Sequence, residues 1–203
     1  MSADRFQLVL VRHGLTDWNV ERRLLGRIDI GLNESGRAQA WAAAEALKQF
    51  PLRAILSSPQ VRTRETAAPI ASVHGLEVEI EPAFDEVWLN EAWQGKTVEE
   101  LRGDAEMERF LSDPSRPSSR IEPIEEVQSR AVAGVERQRR ERPGETVVVV
   151  SHGDPLRAIA AHYLGLSLED FRRLLIDNGS VSFLRFNSRG PQLTALNWRP
   201  SLR

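Results

Sequence analysis

Cysteine is absent from the 203 residues. That excludes a disulfide framework, a cysteine-ligated zinc site and a thiol nucleophile. No apolar run approaches the ~20 residues needed to span a bilayer. The opening stretch, residues 1–6, lacks a basic segment followed by a long apolar one, so no signal peptide is expected, and a cytoplasmic location follows by default. Neither sign of charge dominates: 27 lysines and arginines stand against 29 aspartates and glutamates, for a net charge of -2. A long nucleic-acid groove or a membrane-binding face is therefore not expected. The densest basic cluster, Arg137, Arg139, Arg140 and Arg142, ends a helix that opens with Glu125 and Glu126. That order complements the helix dipole and reads as structural. Internal repeats and low-complexity tracts are also missing.

What is present is an alternation. Short apolar runs rich in β-branched residues, at 6–11, 54–56, 78–80, 146–150 and 181–186, read as buried strands. Stretches of helical period lie between them, at 34–49, 61–73, 124–141 and 155–163. This pattern predicts an α/β fold, a three-layer α/β/α sandwich with a mainly parallel central sheet. Residues 147–150 are all valine, as expected of a strand covered on both sides. Asn33 is placed to cap the helix that follows it, and Gly75 and Gly165 to end theirs. The rhythm breaks at 82–123, which holds Trp88, Trp93 and a Pro/Ser-rich run at 112–119. The chain is therefore expected to form a single domain over 1–203, with 82–123 as a small cap-like insertion and its Pro/Ser part a surface loop.

Two apolar runs end alike. Leu8-Val9-Leu10-Val11 leads into Arg12-His13-Gly14, and Val147-Val148-Val149-Val150 into Ser151-His152-Gly153. Ligands of open α/β sheets bind beyond the carboxyl ends of the strands, so parallel pairing would bring His13 and His152 to one edge. The glycines allow a sharp turn and a close approach to a ligand. Ser57-Ser58-Pro59 closes a third strand, with Arg62 and Arg64 at the start of the next helix. An arginine there can grip two oxygens of a phosphoryl group, helped by helix-start amides. Arg62 takes that role; Arg64 reads as a solvated helix face. Neither His74 nor His162 follows a strand, and both read as helix-end residues.

These segments carry a resemblance. The sequence resembles the histidine phosphatases, the phosphoglycerate mutase-like superfamily. The opening signature is matched by Leu10-Val11-Arg12-His13-Gly14-Leu15-Thr16-Asp17-Trp18-Asn19, and a second block runs from Gly26 through Asn33 to Ala40. Ser57-Ser58-Pro59-Gln60-Val61-Arg62-Thr63-Arg64-Glu65-Thr66-Ala67 looks like the third block and Val149-Val150-Ser151-His152-Gly153 like the fourth. The resemblance implies that His13 becomes phosphorylated and that Arg12, Arg62 and His152 clamp the phosphoryl oxygens. Asn19 and Gly153 would add phosphate contacts, and Glu86 would protonate the leaving oxygen. Asn90 stands where the family often has glycine, and Trp93 and Gly95 fall one residue late, so Asp85 is kept as the fallback acid. The family's frequent glycine-glutamate-serine segment appears here as Ile121-Glu122-Pro123, and Glu122 receives no role. Trp18, Phe84, Trp88 and Trp93 could line a pocket, with Trp88 and Trp93 equally readable as packing. Trp41 and Trp198 are expected to pack.

The implied chemistry is coherent in physical terms. A neutral imidazole is a competent nucleophile near pH 7, and two guanidinium groups meet the charge of a transferring phosphoryl group. A protonated second histidine would add to them. No cofactor is required, and the sequence offers no compact cluster of metal ligands. The expected activity is a metal-independent phosphomonoester hydrolase acting on a small phosphorylated metabolite. The alternatives are a phosphoglycerate mutase and an inactive, binding member of the family. The short tail after Trp198 and the short insertion favour hydrolysis. Either a monomer or a homodimer is compatible with the sequence.

Overall fold

Side chains alternate across a strand, so a strand that is apolar throughout must be covered on both faces. Thr146–Ser151, with valine at 147–150, is covered in this way, all six residues buried, in the computed structural model, which describes residues 5–113 and 118–201. The sheet comprises β1 (Phe6–Arg12), β2 (Leu52–Ser57), β3 (Val78–Ile80), β4 (Thr146–Ser151), β5 (Val181–Asn187) and β6 (Gly190–Trp198). Their order is β3-β2-β4-β1-β5-β6. The first four run parallel, while β5 and β6 are antiparallel to their neighbours. The mainly parallel sheet expected from the sequence is what forms.

The helices are α1 (Asp17–Val20), α2 (Glu34–Leu47), α3 (Val61–His74), α4 (Ala105–Ser112), α5 (Ile124–Glu141) and α6 (Gly153–Leu164). Val9, Val11, Val148 and Val150 pack on Ala43, Ala44 and Leu47 of α2 and Ala67 and Ile70 of α3. Leu8, Leu10, Val147 and Val149 face the other way, onto Ala131 and Val135 of α5 and Leu156 and Ile159 of α6. Each valine, leucine or isoleucine so buried is worth roughly 1.5–3 kcal/mol against exposure. Asn33 caps α2 by accepting a hydrogen bond from the Gly36 amide, and Gly75 and Gly165 end α3 and α6 in the left-handed conformation. The basic cluster at the end of α5 is structural: Arg137 pairs with Glu81, Arg139 with Glu136, and Arg142 with Glu79.

Among its described residues, the stretch 82–123 forms no sheet layer. It opens with a short 3-10 turn at Pro82–Phe84, carries α4, and closes on an isolated bridge between Leu89 and Ile121. Val87, Leu89, Trp93, Leu101 and Met107 form an apolar cluster with Ile124 and Val127 of α5. Of the expected Pro/Ser loop, residues 114–117 lie outside the described residues. Two elements have little signature in the sequence. The two-turn helix α4 depends on Asp104, whose carboxylate caps the amides of Glu106 and Met107. The edge strand β6 contains Pro191, tolerated there because an edge leaves one side of the ladder unpaired. Trp41 and Trp198, expected to pack, are 49% and 42% exposed, although Trp198 lies tilted against Phe183.

Candidate active site

β1 and β4 are adjacent and in register, with Arg12 opposite Ser151. Each histidine therefore follows its strand at the same level, and the His13 amide donates to the Ser151 carbonyl at 3.0 Å. The two rings lie 5.2 Å apart between centroids, at 60° to each other. Both are buried. The sheet thus brings together what 139 residues of chain separate.

Neither following glycine has a left-handed backbone; the constraint is close approach. A β-carbon on Gly14 would sit 2.3 Å from the Gly36 carbonyl oxygen, where the loop rests on the start of α2. One on Gly153 would fall 3.0 Å from an Arg157 nitrogen and 3.5 Å from the Arg12 guanidinium carbon.

The hydrogen bonds fix the His13 tautomer. Nδ1 lies 2.8 Å from the Gly14 carbonyl oxygen, which can only accept, so Nδ1 carries the proton and Nε2 keeps its lone pair. Burial, followed by the charges of Arg62 and Arg12, holds its pKa well below the ordinary histidine value. His13 is accordingly neutral at pH 7.

Arg12 anchors one amino group on the Ile176 carbonyl at 2.7 Å. Its Nε is buried and makes no hydrogen bond among the described residues. A guanidinium with a buried, uncommitted donor suits an anionic oxygen. Arg62 is fully buried at the start of α3. It donates to the Gly26 and Ile28 carbonyls at 2.8 and 2.7 Å, and through Nε to Nδ1 of His152 at 3.2 Å. Three of its five N–H groups are thereby used, and the rest remain for a ligand.

His152 accepts from Arg62 on Nδ1, so its proton sits on Nε2, which donates to Ser58 Oγ at 2.8 Å. Ser58 in turn donates to Gln60 Oε1 at 2.8 Å. Burial first, then Arg62, His13 and Arg12, keep the His152 pKa well below its ordinary value. The protonated second histidine considered from the sequence is thus replaced by a neutral one. Positive charge in the pocket comes from Arg12 and Arg62.

Glu86 stands on the other side. Its Oε2 is 3.8 Å from Nδ1 of His152, its Oε1 accepts from the Val87 amide at 2.9 Å, and the side chain is 14% exposed. Burial, joined by the charge of Asp154, pushes its pKa up to about 7 against Arg62 and Arg12. Asp85, the fallback, is committed elsewhere. It accepts from the Glu86 amide at 2.9 Å, pairs with Arg27 at 3.2 Å, and lies 3.2 Å from Ser58 Oγ.

Asn19 forms a capping box with Thr16, its Oδ1 accepting from both the amide and the hydroxyl of Thr16. The same oxygen is 3.3 Å from Nδ2 of Asn178, which also donates to the His13 carbonyl at 3.1 Å. Arg64 is exposed on α3, as expected. Phe84 and Trp93 are fully buried, and Trp93 Nε1 donates to Asp104, so both are packing residues; Trp88 is 42% exposed. His74 and His162 lie in the last turns of α3 and α6. Sequence reasoning missed Ser58, Gln60 and Asn178. Ser58 ends a strand beside Pro59, and Asn178-Gly179 is a turn signal, but neither pattern alone indicates proximity to histidine. Among the described residues, no group of three or more His, Cys, Asp or Glu could hold a metal ion. Likewise, no helix among them is long and apolar enough to cross a membrane.

Residues 8–199 match the histidine phosphatase superfamily (branch 1). The chain belongs to that family. Among its relatives, phosphoserine phosphatase 1 of Hydrogenobacter thermophilus is 34% identical over 194 residues, covering 94% of this chain and 92% of the relative. A probable phosphoglycerate mutase of Photorhabdus laumondii is 34% identical over 179 residues, covering 87% and 83%. The structure of mycobacterial glucosyl-3-phosphoglycerate phosphatase in complex with VO3 superposes with a TM-score of 0.86 at 30% identity, covering 95% of this chain and 99% of the other. The phosphoglycerate mutase-like architecture is therefore shared along nearly the whole chain.

Proposed function

We propose that this histidine phosphatase hydrolyses the phosphomonoester of a small metabolite through a phosphohistidine at His13. The observation that carries the reading is the state of His13: a neutral ring, Nδ1 proton committed to a carbonyl, Nε2 lone pair free, beside the buried Arg62 and the half-buried Arg12. Nε2 attacks phosphorus and the bond to the alcohol oxygen breaks. Arg12 and Arg62 stabilise the charge on the equatorial oxygens. His152 contributes as a neutral hydrogen-bonding group, and Asn19 and the Gly153 amide as further donors. Glu86, half protonated near pH 7, gives its proton to the departing oxygen. Its carboxylate then takes a proton from water, which attacks phosphorus and breaks the P–N bond, releasing phosphate and restoring His13. No step draws on a metal or an organic cofactor.

We read residues 1–203 as one domain, with 82–123 as a short cap beside the pocket. Two of the named relatives are phosphatases, of phosphoserine and of glucosyl-3-phosphoglycerate. Their substrates share a phosphate beside a carboxylate on a small carbon skeleton, and we place the substrate of this protein in that class. A relative named as a mutase makes isomerisation the second reading. The test is a panel of phosphorylated hydroxy and amino acids, assayed for phosphate release, with 3-phosphoglycerate isomerisation followed in parallel. Release without isomerisation is expected. Efficient 3- to 2-phosphoglycerate conversion with little release would make the mutase reading correct.

A further inference from the structure

Glu122 received no role from the sequence, yet it is the centre of the densest charged network beside Glu86. Its carboxylate is 12% exposed and takes four hydrogen bonds among the described residues. Arg130 donates through Nε to Oε1 at 2.8 Å and through Nη2 to Oε2 at 3.1 Å. Arg27 donates to Oε2 at 3.0 Å, and so does the Trp88 amide at 3.0 Å. The same two guanidinium groups reach onward to the backbone that carries Glu86. Arg130 donates to the Ala83 carbonyl at 3.0 Å, to Asp85 at 2.7 Å and to Glu86 at 3.1 Å. Arg27 donates to the Glu86 carbonyl at 2.9 Å.

That backbone has no ladder to hold it. Residues 85–88 belong to no helix or strand. Their carbonyls must find other donors: two planar arginines supply them at Asp85 and Glu86, and the Glu122 amide supplies one at Trp88. A guanidinium can be aimed so only if its own position is fixed, and Glu122 is the carboxylate that bonds both. We propose that Glu122 is a positioning residue: it orients Arg27 and Arg130, which lock the 83–86 backbone and so hold the Glu86 carboxyl against His152. The proposal rests on Glu86 being the general acid of the reaction proposed above. It goes further by assigning the geometry of that acid to a residue that touches no substrate. Misplacement of a catalytic group by about 1 Å costs up to ~10²-fold in rate, so the lock has kinetic consequence.

The test compares an alkyl phosphate, glycerol phosphate, with an aryl phosphate, p-nitrophenyl phosphate. An alkoxide needs a proton to leave and a nitrophenolate hardly does. Glu86→Gln sets the reference, losing ~10²-fold or more on the alkyl ester and little on the aryl one. Glu122→Gln keeps the shape but offers a single acceptor oxygen to two arginines. It is expected to lose ~10-fold on the alkyl ester with the aryl rate within ~2-fold. The Glu86→Gln, Glu122→Gln double variant should match Glu86→Gln alone, because residues acting through one another are not additive. Arg27→Gln, at a side chain 37% exposed, removes one arm of the lock without disturbing the core and should show the same selectivity, more weakly. It carries the test if Glu122→Gln does not fold. Equal loss on both esters, or a double variant that falls by the product of the single losses, would overturn the positioning role while leaving the Glu86 reference intact. Equal loss in Glu86→Gln itself would instead remove the acid, and the role of Glu122 with it.

Discussion

His13 and Glu86 reach one pocket by different means. His13 follows a buried strand whose neighbour, β4, is wholly buried, and its amide is bonded to β4 at the Ser151 carbonyl. Glu86 sits on irregular backbone, fixed from outside by Arg27, Arg130 and Glu122. A backbone ladder therefore sets the proposed nucleophile and Arg12, the start of α3 sets Arg62, and side-chain hydrogen bonds to the backbone set the proposed acid. The two regions should fail differently. Damage to the strand-end region removes chemistry for every substrate. Damage to the acid loop removes it in proportion to how much the leaving group needs a proton.

The largest effect expected from the strand-end region, short of deleting His13, is at Arg62. Arg62→Lys keeps the charge but loses the planar fork that serves Gly26, Ile28 and His152 together. Turnover should fall by ~10²- to 10³-fold on alkyl and aryl phosphates alike. A loss confined to alkyl esters would move Arg62 into the acid region and blur the division between the two.

A second contrast lies in acid stability. Burial keeps both pocket histidines neutral in the native state, whereas the unfolded chain protonates them below about pH 6.5. Glu86 does the reverse: raised to about 7, it is protonated in the native state where an unfolded glutamate is ionised. Its stabilising contribution is lost as pH rises through about 7. As pH falls from 6.5 toward 5, unfolding takes up two protons at the histidines and gives up one at Glu86. Native stability should therefore drop by about 1.4 kcal/mol per pH unit from these groups. In Glu86→Gln the opposing proton is gone, and the slope should roughly double. Denaturant unfolding at a series of pH values, in buffer free of phosphate, reads both slopes. An unchanged slope in the variant would mean that Glu86 is ionised in the native state.

The smallest effect expected is in the cap itself. Asp104 caps α4 and accepts from Trp93, away from the pocket histidines. Asp104→Ala should cost about 1 kcal/mol of stability, visible in thermal unfolding, with both ester rates within ~2-fold of the original. A selective loss on alkyl phosphates would extend the positioning network of Glu86 into α4.

The same contrast explains what the sequence made legible. His13, Arg12, His152 and Arg62 stand directly after apolar strands or at the next helix start, so local pattern plus parallel pairing places them at one edge. The continuous valines of β4 left no other reading. Glu86 was found through resemblance, because nothing in its local pattern marks it. Asn178, Ser58 and Glu122 were not readable as site residues. Their partners are decided by which strands become neighbours and by how 82–123 folds back on α5, which are properties of the assembled chain. The neutral state of His152 likewise depends on burial and on the Arg62 contact to Nδ1. Strand β6 and helix α4 were missed for a simpler reason: one is a half-exposed edge interrupted by Pro191, and the other has only eight residues.

The central claim is that Nε2 of His13 carries the phosphoryl group between the two half-reactions. Rapid quenching of the enzyme during turnover, followed by peptide mapping under alkaline conditions that preserve phosphohistidine, tests it directly. The account predicts phosphate on the peptide containing His13 and, in His13→Ala, loss of that label together with at least ~10⁴-fold of turnover. Phosphate release that persists in His13→Ala, or a label residing on another residue, would contradict it.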